Sequence, residues 1–174
     1  VRELKLKDEE IKLIKNLGLL TIKLLLYVLN INDESGITGL EINNETVIKI
    51  NGKAEAEIAS LPNEEQQEYL KEFGLAQSGL DKLIKASYDL LGLITFFTTG
   101  SDETRAWTIK AGAKAPQAAG VIHTDFAKGF IRAEVINWQK FIEAGGETAS
   151  REKGLIRTEG KEYVMQDGDV CNFL

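Results

Sequence analysis

Apolar positions in residues 8–16, DEEIKLIKN, fall at Ile11 and Ile14 with acids in the first turn and lysines later. That order complements the helix dipole and predicts the last turns of a helix. After Gly18 the pattern becomes TIKLLLYVLN, residues 21–30, an apolar and partly β-branched run ending in Asn30-Ile31-Asn32-Asp33. Such a run predicts a strand buried on both faces of a parallel sheet, its polar tip lying where such sheets bind ligands. Residues 35–45 carry no period, and Thr46-Val47-Ile48-Lys49-Ile50 predicts a second short strand closing on Asn51-Gly52-Lys53. Three helices are then predicted: Ala54 to Leu61, EEQQEYLKEF after Leu61-Pro62-Asn63 with its stop at Gly74, and one opening at Gly79-Leu80-Asp81. The third carries an apolar stripe of Leu80, Leu83, Ile84, Tyr88, Leu90 and Leu91, so these read as packing helices.

From Leu93 the character changes, which makes Gly92 a domain boundary. ITFFTTG predicts a strand, Arg105 to Ile109 an alternating strand, and the small residues of APQAAGVIH a short helix. Gly129 to Trp138 predicts another strand and WQKFIEAGG another helix. EYVMQ and VCNFL read as two closing strands joined by a hairpin-type turn at Asp167-Gly168-Asp169. A mixed sheet wrapping one helix is a β-grasp arrangement.

The bulk numbers narrow the function classes. The 174 residues, 43% hydrophobic and 28% charged, suit one ordinary domain or two small ones. Residues 1–91 hold eleven basic and sixteen acidic side chains and residues 92–174 hold ten and eleven, so the overall −6 resides mostly in the first part. A net-acidic chain lacks the footprint of a protein that coats nucleic acid, and no DNA partner is expected. One cysteine, Cys171, excludes an internal disulfide, and with the single His123 it supplies no zinc set. No metal site is expected. Leu17 to Leu29 is interrupted by Lys23 and falls short of the ~20 apolar residues of a spanning helix, so no membrane partner and a cytoplasmic location are expected. A start at Val1 in place of Met points to a piece of a longer chain.

Three stretches carry a family resemblance: GLITFFTTG, TRAWTIKAGAKAPQAAGVIHTDFAKGFIRAEV and GKEYVMQDGDVCNFL. They resemble the C-terminal TGS domain of the YchF, or Obg-like, ATPases. Upstream, TIKLLLYVLN, NIND, VIKING and the helical stretch to Leu91 resemble the preceding part of the same family in order. The resemblance implies a fold that is α/β plus α+β: residues 1–18 end a coiled-coil or helical insertion, and 19–91 form the C-terminal part of a parallel-sheet P-loop nucleotide-binding domain. Residues 92–174 are then a ubiquitin-like β-grasp (TGS) domain. It implies a redox- or translation-linked ATP- or GTP-binding parent, using the nucleotide with Mg²⁺, and a ribosome- or RNA-associated role for the TGS domain. The N-terminal half of the parent nucleotide-binding domain is the implied partner of residues 19–91. An intramolecular scaffold that gates the parent ATPase without touching RNA is the other expectation.

By the same resemblance, Asn30, Ile31, Asn32 and Asp33 stand at the base-recognition loop, and Asn51, Gly52 and Lys53 where backbone N–H groups meet the base. Ile31 replaces the lysine whose stem packs on a guanine, and Asp33 stands where the family usually has Glu. G-x-x-x-x-G-K-[ST] is absent from the sequence, and with it the cradle that phosphoryl transfer requires. No catalytic residue and no tight nucleotide binding are therefore expected of this chain alone. Without the family, NIND is an Asn/Asp-rich turn after a strand. Arg105, Lys110, Lys114, His123, Lys128 and Arg132 are candidate RNA or partner contacts, interleaved with Trp107, Phe126 and Phe130. His123 could also be a proton-transfer group, but with no Ser, Cys or metal partner it reads first as a helix-terminal residue satisfied by local hydrogen bonds, and alternation places Trp107 and Phe130 partly in the core. The acids Glu64, Glu65, Glu68 and Glu72 read as a solvated helix face.

Overall fold

The computed structural model describes residue 4 and residues 6–32, 47–72, 75–100 and 102–174. The chain divides into two compact units, Val1–Leu91 and Gly92–Leu174.

In the first unit, α1 (Asp8–Ile14) starts where the Lys7 N–H donates to Glu10 Oε2 at 2.8 Å. Gly18, at φ +61°, then turns the chain. The run 21–30 is not one strand. Leu20–Ile22 forms a 3-10 turn and only Tyr27–Asn30 extends, as β1, parallel to β2 (Val47–Ile50) in register Tyr27 with Val47. Nor is it buried on both faces: Leu24 and Val28 are exposed, because the described strands of this unit form a sheet of two, too narrow to bury both faces. The parallel direction is as predicted.

Next, α2 (Gly52–Ser60) begins two residues before the predicted Ala54, since Asn51 caps it by accepting from the Lys53 and Ala54 N–H groups. Then α3 (Asn63–Glu72) and α4 (Gly79–Leu91) follow. Glu55 ties two of these helices together: its carboxylate accepts from the Gly79 N–H at 2.6 Å and the Leu80 N–H at 3.2 Å, placing an anion on the N-terminus of α4. Among the described residues of the unit, Ile31, Ile48, Ile58 and Leu70 are the buried apolar ones, while Leu80, Ile84 and Leu91 of the stripe stay about half exposed.

The second unit holds β3 (Leu93–Thr99), β4 (Thr104–Lys110), α5 (Ala115–Ile122), α6 (Thr124–Gly129), β5 (Ala133–Asn137), α7 (Trp138–Ala144), α8 (Glu147–Glu152), β6 (Arg157–Glu159) and β7 (Asp169–Phe173). The sheet order is β4-β3-β7-β5-β6, with β3 and β7 parallel and the other pairs antiparallel. Alternation along β3, β4, β5 and β7 puts Phe96, Ile109, Ala133, Val135 and Cys171 on one face, where Ala115, Ala118 and Ala119 of α5 pack with Phe130 and Met165. Small residues on α5 let the helix approach the sheet closely.

Two sequence expectations fail here. Gly129 to Trp138 is not a single strand, because Gly129 ends α6 and Trp138 opens α7. The Asn137 side chain accepts from the Gln139 N–H at 3.0 Å and so stops the strand as a helix cap. Nor do EYVMQ and VCNFL form a hairpin. Both edges of β7 are taken, by β3 and β5, so residues 162–166 run beside the start of α5, with Ala115 N–H to Tyr163 O at 2.9 Å and Met165 N–H to Ala113 O at 2.9 Å. The strand pairing with β5 on its far side is β6, a segment without a strong apolar pattern.

Candidate functional site

The tip of the β1–β2 pair gathers most of the predicted base-recognition residues. Asn30 ends β1, and its Oδ1 accepts from the Gly52 N–H at 3.0 Å. Asn51 Oδ1 accepts from Lys53 N–H at 3.2 Å and Ala54 N–H at 3.1 Å, while its Nδ2 donates to Asn32 O at 3.0 Å. Ile31 is buried, and its N–H donates to Ile50 O at 2.9 Å, extending the ladder by one step. The two loops are thus latched to each other through side-chain amides. The N–H groups of Gly52 and Lys53 are engaged by these amides, and a Cβ at Gly52 would lie 3.2 Å from Asn30 Oδ1. In this arrangement these backbone donors already have acceptors within the chain. Lys53 is exposed, and Asp33 lies outside the described residues. Among the described residues no group of three or more His, Cys, Asp or Glu is placed to hold a metal ion, and no helix is long and apolar enough to cross a membrane.

The predicted cations of the second unit do not form one cluster. Arg105 and Lys110 lie on β4 five residues apart, hence on opposite faces of the strand. Arg105 shares a face with Trp107, and its guanidinium lies 4.2 Å above the indole centroid. Lys114 pairs with Glu162 across the start of α5. His123 joins α5 to α6: its Nδ1 accepts from the Asp125 N–H at 3.2 Å, the Asp125 carboxylate stands 3.5 Å away, and its ring meets Phe126 edge-on. Lys128 is exposed on α6, and Arg132 is exposed just before β5. Pattern reading missed what immobilises these groups, since Glu162 is 48 residues from Lys114 and only the folded chain brings the two together.

A second polar assembly sits at the start of β7. The buried Asp169 carboxylate accepts from the Tyr163 hydroxyl at 2.8 Å and the Gln166 N–H at 2.9 Å, and Arg157 donates to the Tyr163 oxygen at 3.1 Å. Burial, then the hydrogen bond to Asp169, pushes the Tyr163 phenol up to about 12. Burial also pushes the Cys171 thiol well up, which leaves it unreactive at neutral pH. On the sheet's other surface Arg151 grips Glu134 through two hydrogen bonds of 3.0 and 2.8 Å, holding that carboxyl below its usual range. These interactions fasten β7, α8 and β5 within the second unit. They form no open constellation of nucleophile and base.

Residues 93–174 match the family YchF-GTPase_C, whose description reads "Protein of unknown function (DUF933)". The "Ribosome-binding ATPase YchF" of Bacillus subtilis (strain 168) is 48% identical over 184 aligned residues, covering 99% of this chain and 50% of that protein. The chain belongs to the YchF family. The "Ribosome-binding ATPase YchF" of Escherichia coli O157:H7 is 45% identical, with 100% and 50% of the two chains covered. A solved YchF GTPase from Schizosaccharomyces pombe superposes with a TM-score of 0.77 at 35% identity, across 99% of this chain and 49% of its own. This chain therefore spans about half the length of the curated YchF relatives it matches.

Proposed function

We propose that residues 92–174 are a TGS-type β-grasp domain through which a YchF-type ATPase associates with the ribosome or its RNA, and that residues 19–91 are the C-terminal part of the parent's nucleotide-binding domain. The observation that carries this is end-to-end similarity to relatives named for ribosome binding and ATPase activity, continuous through both units. The strand order β4-β3-β7-β5-β6, with a parallel central pair and α5 against one face, supports the β-grasp reading. The two-stranded parallel sheet of the first unit, with exposed Leu24 and Val28, supports completion by further strands from the parent's other half.

Nucleotide and Mg²⁺ belong, on this reading, to the complete parent in the cytoplasm. Asn30, Asn51 and Gly52 close the base-recognition loop on itself here, and phosphate chemistry requires residues outside this sequence. A phosphate-release assay on this chain is expected to show no turnover. Arg105 and Lys128 are the best-placed RNA contacts, because among the described residues neither is in a carboxylate ion pair, whereas Arg132 lies close enough to Glu134 to help hold that carboxyl down.

The test is co-sedimentation of the complete protein with ribosomes at low salt in the ATP-bound, ADP-bound and nucleotide-free states. Pelleting in at least one state is expected, and its absence in all three overturns the proposal. The pairing of Lys114 with Glu162, together with the local pairing of His123, favours a second reading in which this face docks within the parent and gates its ATPase. Alanine at Arg105, Lys110, Lys114 and Arg132 separates the two. The first reading expects lost ribosome association with normal ATP turnover, and the second the reverse.

A further inference from the structure

Arg105 differs from the other candidate cations in how it is held. It lies on β4, opposite Thr98 of β3, at the edge of the five-stranded sheet. Its guanidinium is stacked 4.2 Å over Trp107, and that indole is fixed twice: its Nε1–H donates to Thr98 Oγ1 at 2.9 Å, and its ring packs against the buried core. The guanidinium therefore rests over the indole before any ligand arrives, on a side chain that is itself exposed. No carboxylate among the described residues pairs with it. A guanidinium ordered on an aromatic ring loses less freedom on binding than a mobile lysine and offers a flat, weakly hydrated surface for stacking.

The surroundings select among ligands. Asp102 and Glu103 are exposed in the turn leading into β4, within three residues of Arg105. Their charge opposes a phosphate set directly on Arg105, so a strand bound here presents its uncharged base to the guanidinium and holds its phosphodiester away from this turn. Resting on the RNA reading above, we propose that Arg105, stacked on Trp107, is a platform for an unpaired nucleobase, so that this edge of the sheet takes single-stranded RNA by stacking. Recognition of splayed bases on aromatic and guanidinium planes is the general mode by which proteins read unpaired RNA.

The test uses this chain with a fluorescein-labelled twelve-nucleotide oligouridine at low salt, read by anisotropy. Arg105→Lys keeps the charge and removes the plane, and Arg105→Ala removes both. Both variants are expected to weaken binding about 5- to 150-fold, the loss typical of one stacked base. Equal affinity of the Arg105→Lys and unaltered chains reduces Arg105 to a point charge and overturns the platform while leaving RNA binding intact. No binding by the unaltered chain overturns the platform, while the ribosome reading stands or falls by co-sedimentation of the complete protein. Equal binding of a neutral, tryptophan-containing peptide, lost in the same variants, assigns the site to a protein side chain instead and also overturns the proposal.

Discussion

Gly168 stands where three parts of the second unit meet, and replacing it with alanine gives a prediction whose size follows from local geometry. Its N–H donates to Thr95 O at 2.8 Å, and its carbonyl accepts the Trp138 N–H at 2.9 Å, so the turn joins β3 to the start of α7. The residue sits at φ +81°, and a Cβ there would lie 2.4 Å from Trp138 Cδ1 and 2.9 Å from its Nε1. The left-handed backbone alone costs an alanine about 1–2 kcal/mol, and displacing the indole adds roughly 1–2 kcal/mol for overpacking. The sum, about 2–4 kcal/mol, corresponds to a fall in melting temperature of roughly 10–25 °C for a unit of this size. Both tryptophans of the chain, Trp107 and Trp138, lie in this unit, so intrinsic emission during heating reports its unfolding selectively. In a Trp138→Ala background the steric part disappears, and the same substitution is expected to cost only about 1–2 kcal/mol. A fall below about 4 °C in the unaltered background, or an equal fall in both, refutes this reasoning.

Three further outcomes follow from the polar contacts. Glu55→Ala removes the carboxylate that accepts from Gly79 and Leu80, and is expected to destabilise the start of α4 by about 0.5–2 kcal/mol, read as faster hydrogen exchange at those two amides. Asn30→Ala frees the Gly52 N–H and is expected to accelerate its exchange, about tenfold for each 1.4 kcal/mol lost, while Thr95, held by Asp167 in the other unit, stays unchanged. Tyr163 keeps its proton to about 12 in the folded chain against about 10 when unfolded, so its contribution is complete below pH 10 and disappears as pH rises through 12. Ultraviolet titration is expected to show a phenol ionising near 12 that is absent in Tyr163→Phe.

The helices of the first unit and both strands of the β3–β4 hairpin were legible because periodicity and end signals coincide in them. EEQQEYLKEF follows Pro62-Asn63, and the small residues of APQAAGVIH match a helix lying close on a sheet. What stayed hidden depended on partners distant in sequence. TIKLLLYVLN has the apolar density of a central strand, yet its extended length is set by β2 alone. EYVMQ has strand propensity, but β7 is already paired on both edges. The short strand β6 and helix α8 carry weak patterns and are held by pairing with β5 and by the Arg151–Glu134 contact. At the candidate sites the residue types were visible while their state was not. Nothing local says that Lys114 is paired with Glu162 or that Asn30 holds the Gly52 N–H.

The claim that residues 92–174 make the ribosomal contact is tested most directly by hydrogen–deuterium exchange on the complete protein with and without ribosomes. Protection is predicted in β4 around Arg105 and in the stretch from α6 to Arg132, with residues 8–22 unchanged. Protection confined to the first unit, with 92–174 exchanging as in the free protein, contradicts the account.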